Sequence, residues 1–298
     1  MKQHLKVKNM TPKENAWGWA FVTPAALLIL ILVFIPMIRA FFTSLESGMG
    51  SQMQFVGFDN YIRMFSDATF RKAAGNTVLY LIIQVPLMIV LSMIISVLLN
   101  DKKLKCRGLY RTAIFLPCIT SLVAYSIVMK GMFADDGIVN TLLMNLNMIE
   151  QPIHWLTDPV WAKVLIIISI TWRWTGYNMI FFLSGLQNID PSVYEAADID
   201  GTSAWNKFFK ITVPMLKPII LFTSITSTIG TLQLFDEVMN ITGGGPANAT
   251  LTLSQYIYNL SFKYTPNFGY AAAVSFVIVI AIVILSVIQL KVGGNDDD

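Results

Sequence analysis

Two segments of the chain place polar and aromatic side chains inside otherwise apolar sequence, and these side chains could bind a solute. The first segment holds Trp172, Arg173, Trp174, Tyr177 and Asn178. The second segment has one helical face, at i, i+4, i+7 and i+11, formed by Thr226, Gly230, Gln233 and Glu237. Amide, hydroxyl and carboxyl groups hydrogen bond, and aromatic rings offer flat apolar faces. The chemistry predicted from these residue types is noncovalent recognition of a polar solute.

Covalent chemistry is disfavoured by the other reactive residue types. Cys106 and Cys118 have no histidine nearby in the sequence, so they form no nucleophile dyad, and we expect both to be small buried apolar residues. His4 and His154 are far apart, so a metal cluster of histidine and cysteine is not predicted. The sequence has no G-x-x-x-x-G-K-[ST] motif, so we do not expect ATP to bind this chain. Neither catalysis nor a cofactor is predicted.

The composition places the solute-binding segments in a membrane. The chain has 298 residues, of which 55% are hydrophobic and only 13% are charged. A soluble domain of average composition carries about 25% charged residues. The net charge of +3 is too small to indicate a polyanionic partner, so nucleic acid is excluded. The predicted fold class is an all-α polytopic membrane protein.

Six apolar stretches are each long enough to cross a bilayer, which takes about 20 residues in a helix. They run from about Trp17 to Phe42, Thr77 to Leu99, Ala113 to Met132, Val160 to Leu186, Ile219 to Met239 and Ala271 to Leu290. Lysine and arginine concentrate in the N-terminal tail and in the loops after the second and fourth stretches. By the positive-inside rule, both termini are cytoplasmic. The predicted organisation is a tail at 1–16, a transmembrane domain at 17–291 with a loop at 187–218, and a tail at 292–298, with a short external surface helix near 58–65.

The cytoplasmic loop after the fourth stretch carries local signals for two short helices. Asp190 precedes a proline and is an N-cap signal. Gly201 is a helix C′ signal, and Ser203 can cap a second helix. We expect a sharp turn between the two helices, with Ala196 and Ala197 exposed for close contact. An ordinary amphipathic connector on the lipid headgroups would give the same local signals.

The residues of this loop also form a pattern at fixed spacing, which separates the two interpretations. The pattern consists of Glu195, Ala196, Ala197, Asp200, Gly201, Phe208, Ile211, Pro214 and Pro218. It resembles the EAA loop of ATP-binding-cassette importer permeases, in which this loop is the coupling helix that docks in a groove of the ATPase. The resemblance implies that Ala196 and Ala197 allow close approach. It also implies that Glu195 pairs with a basic side chain of the ATPase and that Gly201 makes the turn.

Residues around a glycine-rich turn and before the last stretch narrow the class. They are Thr242 to Pro246, Thr250, Tyr256 to Tyr258, Phe262, Gly269 and Ala271 to Ala273. They are similar to the carbohydrate-uptake branch of that family, and specifically to the larger pore subunit of maltose transporters. Aligned through the loop, the family's substrate site falls near Gly176, Tyr177, Met179, Gly230, Thr231, Gln233 and Leu234. We add Asn178 as a contact. An alternative place for Asp236 and Glu237 is the external mouth, where the cation paired with them is Arg or Lys of a partner or Arg173, which could instead simply reach an interface.

The resemblance implies a pore subunit of a sugar importer in a bacterial inner or plasma membrane. A second homologous permease completes a heterodimer, and two ATPase subunits bind Mg-ATP. An extracellular or periplasmic binding protein delivers a di- or oligosaccharide, and membrane lipid surrounds the pore.

Other functions stay open from the residues alone. The same architecture could serve another solute, such as glycerol phosphate or an amino acid. A phosphate ester favours arginine or lysine in the pore, and Arg173 is the only cation well inside the fourth and fifth stretches, so a neutral sugar is preferred. An ATP-independent carrier would show symmetric halves with broken helices, and an intramembrane enzyme would need a catalytic set that we do not find.

Overall fold

Helices make up nearly all of the regular structure in the computed structural model, which describes residues 11–48, 53–101 and 103–294. The first helices are α1 (Pro12–Ile29), α2 (Ile35–Ser44), α3 (Asp59–Ser66), α4 (Ala68–Asn100), α5 (Arg107–Ile119), α6 (Leu122–Met132), α7 (Ile138–Asn145) and α8 (Pro159–Gln187). The others are α9 (Pro191–Ile199), α10 (Ala204–Lys207), α11 (Val213–Met215), α12 (Lys217–Leu232), α13 (Asp236–Ile241), α14 (Leu253–Tyr258) and α15 (Phe268–Gly293). Turns of π-helix occupy Leu30–Phe34, Phe208–Thr212 and Asn259–Lys263. A two-residue strand β1 (Glu46–Ser47) pairs antiparallel with β2 (Gln54–Phe55). The predicted all-α class is confirmed.

Three helices of the described residues are long and apolar enough to cross a membrane. They are Asn15–Ser44, which joins α1 and α2 through the first π turn, Ala68–Asn100 and Phe268–Gly293. Two bent helix pairs raise the number to five at most. The predicted fourth stretch corresponds to α8, a helix of 29 residues. Six membrane-spanning helices therefore stay a prediction.

The predicted third stretch is not one continuous helix, and in this respect the prediction is wrong. The chain turns by 104° between α5 and α6. Pro117 lies inside α5 and has no N–H to donate to the preceding turn, which weakens the end of that helix. Thr120 and Ser121 then adopt extended backbone angles, with ψ of 151° and 131°. Hydropathy does not reveal this bend because the residues on both sides of it are equally apolar.

The predicted fifth stretch also ends earlier than expected. The helix α12 stops at Leu232, and the chain leaves helical geometry at Phe235, where φ is −134°. A separate short helix, α13, begins at Asp236. At the other end of α12, the segment Ala204–Met215 meets the helix at an angle of 69°. The predicted polar face of this stretch is therefore divided between α12, a turn and α13.

The long helices α4 and α8 form the centre of the structure. Ser92 on α4 donates a hydrogen bond to the backbone carbonyl of Thr175 at 3.0 Å, and Ser96 donates one to the carbonyl of Met179 at 2.9 Å. Small hydroxyl residues let two backbones approach closely, and their hydrogen bonds satisfy polar groups that lipid cannot solvate. Tyr80 of α4 packs nearby in an apolar cluster with residues of α8 such as Leu165. This contact holds α8 in a defined rotation about its own axis.

Asp67, the N-cap of α4, joins three elements on the side of the predicted external loops. Its Oδ2 atom accepts hydrogen bonds from the hydroxyls of Tyr256 at 2.5 Å and Tyr270 at 2.7 Å. Burial raises the pKa of this carboxyl, but the bonds from both tyrosines and from the backbone N–H groups of Phe70 and Thr69 outweigh burial and hold the pKa below its usual value. The predicted surface helix is confirmed as α3, immediately before this cluster.

Candidate functional site

A cavity of about 300 Å³ lies between α4, α6, α8, α12 and α13. Its wall includes six of the residues predicted to contact a solute, namely Tyr177, Asn178, Gly230, Thr231, Gln233 and Leu234. The four residues of the predicted polar face, Thr226, Gly230, Gln233 and Glu237, all line it as well. The turn after α12 brings Gln233 and Glu237 to the same cavity as Thr226, although they no longer share one helix.

Two residues of the predicted site do not line this cavity. Gly176 faces α5, where a Cβ atom would come within 2.2 Å of the Ile114 carbonyl oxygen. Met179 is fully buried, and its backbone carbonyl accepts the bond from Ser96 on α4. Both residues therefore contribute to the packing between helices. The rotation of α8 turns Tyr177 and Asn178 towards the cavity and these two neighbours away from it.

The aromatic side chains of α8 form one wall of the cavity. The rings of Trp174 and Tyr177 meet edge to face, with centroids 5.5 Å apart. Trp174 donates a hydrogen bond from Nε1 to Oε1 of Glu237 at 3.2 Å, which fixes the indole ring. Asn178 donates from Nδ2 to Oγ of Ser227 at 3.0 Å, which ties α8 to α12. These two bonds hold the ring faces and the amide in place before any ligand arrives.

The cavity wall also includes residues of two helices that the predicted site did not involve. Gln84 and Met88 come from α4, and Leu122 begins α6. Gln84 is 1% exposed, and its Oε1 atom has no hydrogen-bond partner among the described residues. A buried amide within an apolar helix is the signal that could have identified it, because polar groups at membrane depth face protein or a water-filled path. Nothing in the sequence places α4 beside residues 226–237.

Glu237 is buried and lines the cavity, and its predicted place at the external mouth stays a prediction. Its side chain is 4% exposed. Arg173 is also buried, at 9% exposure, with its guanidinium carbon 5.5 Å from the centre of the Tyr125 ring. The predicted pairing of these residues is not seen, since the described residues contain no ion pair between Arg173 and a carboxylate. Asp236 is exposed and lines the cavity beside Glu237.

The predicted loop forms the two short helices α9 and α10 at its expected signals. The Asp190 side chain accepts a hydrogen bond from the Ser192 N–H at 2.9 Å, and this bond lowers the pKa of the exposed carboxyl. Ser203 accepts from the Asn206 N–H at 3.3 Å and caps α10. Gly201 has φ of +66°, the left-handed conformation that glycine adopts without steric cost. All three local predictions are confirmed.

The loop residues of the EAA pattern differ in exposure. Those at the surface are Glu195, Ala196, Asp200, Gly201, Pro214 and Pro218, whereas Phe208 and Ile211 are half-buried. Ala197 is only 6% exposed, so the prediction that both alanines lie open at the surface is wrong for this one. Asp198 forms an ion pair with Lys207 that links α9 to α10.

This loop is fastened to α8 and α12 and presents apolar side chains outward. Tyr194 Oη and Thr212 Oγ1 are 3.1 Å apart in a hydrogen bond, beside an apolar cluster that contains Leu186 of α8. Ile199 is 87% exposed and Trp205 is 72% exposed. Exposed apolar patches of this kind mark contacts with protein or with membrane. The two helices are thus joined through packed side chains to the helices that wall the cavity.

In the described part of the chain, the cysteine and histidine residues lie outside the cavity. Groups of three or more histidine, cysteine, aspartate or glutamate residues that could hold a metal are absent there. Cys106 is exposed at the start of α5, so the prediction that it is buried is wrong, and Cys118 is half-buried. Cys106 adopts φ of +56° where the loop turns into the helix. His4 lies outside the described residues.

Known proteins share both the sequence and the fold of this chain. Residues 103–292 match the family described as binding-protein-dependent transport system inner membrane component. The chain is 57% identical over 274 residues to the lactose transport system permease protein LacF of Rhizobium radiobacter, covering 91% of this chain and 92% of that protein. It is 34% identical over 279 residues to the arabinooligosaccharides transport system permease protein AraP of Halalkalibacterium halodurans, covering 93% of this chain and 87% of that protein.

The fold agrees with this relationship. A crystallised bacterial ABC transporter involved in import of the acidic polysaccharide alginate has a chain that matches with a TM-score of 0.84. The match covers 96% of this chain and 98% of that chain at 21% sequence identity. The resemblance drawn from the EAA loop is confirmed. This chain belongs to the family of binding-protein-dependent transport system inner membrane components.

Proposed function

We propose that this chain is a pore subunit of an ATP-binding-cassette importer that takes up a neutral di- or oligosaccharide. The cavity between α8, α12 and α13 carries the proposal. Aromatic rings such as Trp174 and Tyr177 can pack on the C–H faces of a sugar, while Asn178 and Gln233 can bond its hydroxyl groups. Relatives named for lactose and arabinooligosaccharide transport support a sugar as the substrate.

The chain crosses the membrane six times in this proposal, with both termini in the cytoplasm. The bent pair α5 and α6 counts as one crossing. The helix α8 counts as a further crossing, and α12 counts as another. The basic residues of the loops after α4 and α8 then face the cytoplasm, in agreement with the positive-inside rule. The turn around Gly243 and the cluster around Asp67 face outward. The transmembrane domain at 17–291 and its short tails follow this topology.

Alternating access follows from the connection between the loop and the cavity. The ATPase surface receives Glu195, Ala196, Asp200 and Gly201 at the exposed side of α9. Closure of the ATPase dimer pushes this surface, and the push reaches α8 and α12 because the apolar cluster around Leu186 leaves the loop little independent freedom. Both helices wall the cavity, so their displacement opens it towards one side of the membrane. Interfaces that are packed in this way switch between discrete arrangements.

The remaining subunits carry out the steps that this chain does not. A second homologous permease closes the other side of the pore, and two ATPase subunits bind and hydrolyse Mg-ATP. An extracellular or periplasmic binding protein brings the sugar. A glycerol phosphate importer is the alternative, but the described cavity wall contains no lysine, arginine or histidine to pair with a phosphate.

The test is affinity purification of the tagged chain from its native membrane in mild detergent, with partners identified by mass spectrometry. We expect an ATPase and a second EAA-bearing permease to copurify, and the ligand of the copurified binding protein to be a neutral sugar. Recovery of the chain alone, active in transport after reconstitution without ATP, would instead establish a secondary carrier. A phosphorylated ligand on the binding protein would select the glycerol phosphate alternative.

A further inference from the structure

Gln84 and Glu237 form a second polar part of the cavity wall, separate from the residues aligned with the family's site. Gln84 is 1% exposed, and its Nε2 group donates to the Met88 sulfur at 3.4 Å. Its Oε1 atom has no partner among the described residues. A buried carbonyl oxygen without a hydrogen bond is costly, and the residue that carries this one is part of the cavity wall.

Glu237 reaches the same cavity from α13. Its carboxylate accepts one hydrogen bond from Trp174, the residue that offers a ring face to the ligand. The charged neighbours are Asp236, which also lines the cavity, and Arg173. Arg173 does not line the cavity, and its guanidinium lies over Tyr125. Within the described wall, the cavity therefore offers acceptors and amides to a ligand but no cation.

Resting on the proposed function, we infer that Gln84 and Glu237 determine sugar specificity in this cavity. The Oε1 atom of Gln84 accepts a hydrogen bond from one sugar hydroxyl, and the carboxylate of Glu237 accepts from another. A uronic acid would have to bury its carboxylate beside Glu237 and Asp236 without a compensating cation, which is unfavourable. The cavity thus selects neutral sugars and rejects acidic ones.

Ligand binding to the complete importer in lipid nanodiscs, without the binding protein, tests this inference. The probes are lactose and the lactose derivative in which C6 of the galactose is oxidised to a carboxylate. Saturation-transfer difference NMR measures weak binding of each probe directly. The wild-type importer should bind lactose at least about 10-fold more tightly than the acidic derivative. Losing a hydrogen bond to a charged group typically weakens binding by about that factor.

Three variants separate the contributions of Glu237 and Gln84 to sugar binding. Glu237→Gln should narrow the preference for lactose over the acidic derivative by several-fold, because it removes a carboxylate and keeps the shape of the side chain. Gln84→Leu should weaken lactose binding by about 3- to 10-fold, the usual effect of losing one hydrogen bond. Glu150→Gln makes the same chemical change at an exposed loop position and should leave both affinities unchanged.

The outcomes distinguish this inference from the proposed function. A wild-type importer that binds the acidic derivative as tightly as lactose, or a Glu237→Gln variant with an unchanged preference, would overturn the inference and leave sugar import intact. If Glu237→Gln fails to assemble, the Gln84→Leu affinity and the wild-type preference still decide the question. Failure of the assembled wild-type importer to bind either probe would refute the sugar site, and the specificity inference with it.

Discussion

Asn178 on α8 donates a hydrogen bond of 3.0 Å to the Ser227 hydroxyl on α12, and this bond joins the two helices that wall the cavity. Asn178 is 1% exposed, so its amide is removed from solvent. Both residues also line the cavity, and a sugar that binds there meets an amide already fixed in orientation. The bond thus serves the packing of the helices and the geometry of the candidate site.

Removing this bond should loosen the contact between α8 and α12. We expect Ser227→Ala to lower the unfolding free energy by about 1 kcal/mol, since interhelical hydrogen bonds in membranes contribute about 0.6 and at most about 1.7 kcal/mol. A double-mutant cycle with Asn178→Ala, followed by equilibrium unfolding in mixed micelles, measures the coupling. Strictly additive effects of the two substitutions would show that the bond makes no contribution.

Gly176 should tolerate no side chain. A Cβ atom there would lie 2.2 Å from the Ile114 carbonyl oxygen, which is backbone and cannot move aside cheaply. We expect Gly176→Ala to push α5 from α8 and lower stability by about 1–3 kcal/mol or more. Gly75→Ala is the matched control on α4, where a Cβ atom meets no other group within 4 Å. Equal melting temperatures of the two purified variants would contradict the close packing of α5 against α8.

Asp67 should stabilise the fold in a manner that depends on pH. Because the pKa of this carboxyl is lowered in the folded state, its stabilisation is present above the unfolded value of 3.8 and is lost as the pH falls through the folded-state pKa. We expect Asp67→Asn to lower stability by about 1–2 kcal/mol at neutral pH, because both tyrosine hydroxyls lose a charged acceptor. The difference from wild type should shrink below pH 3.8.

Thermal unfolding in detergent across this pH range measures the effect of the Asp67 substitution. Asp136→Asn, at an exposed loop position, is the control and should show no such dependence. A stability difference between wild type and Asp67→Asn that stays constant into strong acid would mean that the charge of Asp67 has no role.

Gly201→Pro should abolish uptake while leaving membrane insertion intact. Proline holds φ near −65°, whereas this position has φ of +66°, and it also removes the N–H that bonds the Asp198 carbonyl at 3.1 Å. The turn between α9 and α10 could not form. Gly201→Asn is the informative control because asparagine adopts the left-handed conformation readily, so uptake should largely persist. Normal sugar uptake by the proline variant would count against the coupling role of the loop.

Gln233→Ala should weaken transport without disturbing assembly. The side chain is exposed in the cavity, so its loss leaves no packing defect but removes one hydrogen-bonding group. We expect the half-saturating sugar concentration to rise by about 3- to 10-fold. Gln151→Ala removes the same amide from an exposed loop and should transport normally. Identical kinetics for the two variants would remove Gln233 from the site.

Interactions between residues close in sequence were predictable. The caps at Asp190 and Ser203 and the left-handed turn at Gly201 were found where the local signals placed them. Each involves groups within three residues of one another, so the surrounding structure has little influence on the outcome. The spacing of the EAA residues likewise identified the family from the sequence.

Features that depend on helix placement could not be predicted in the same way. Hydropathy described residues 113–132 as one stretch, but the chain bends at Thr120 and Ser121. Gly176 and Met179 were predicted beside Tyr177 in the site, although the rotation of α8 directs them to other helices. A helix exposes every side chain somewhere, and only its neighbours decide which face meets a cavity.

The amino-acid sequence by itself determined that this is an all-α membrane protein of the importer permease family, with a loop of two capped helices. Composition, charge distribution and short-range backbone preferences are sufficient for these conclusions. Only the tertiary structure decided that Gln84 of α4 and Glu237 of α13 line one cavity with Trp174. Residues 84 and 237 lie far apart in the chain, and packing between helices, which no local pattern encodes, brings them together.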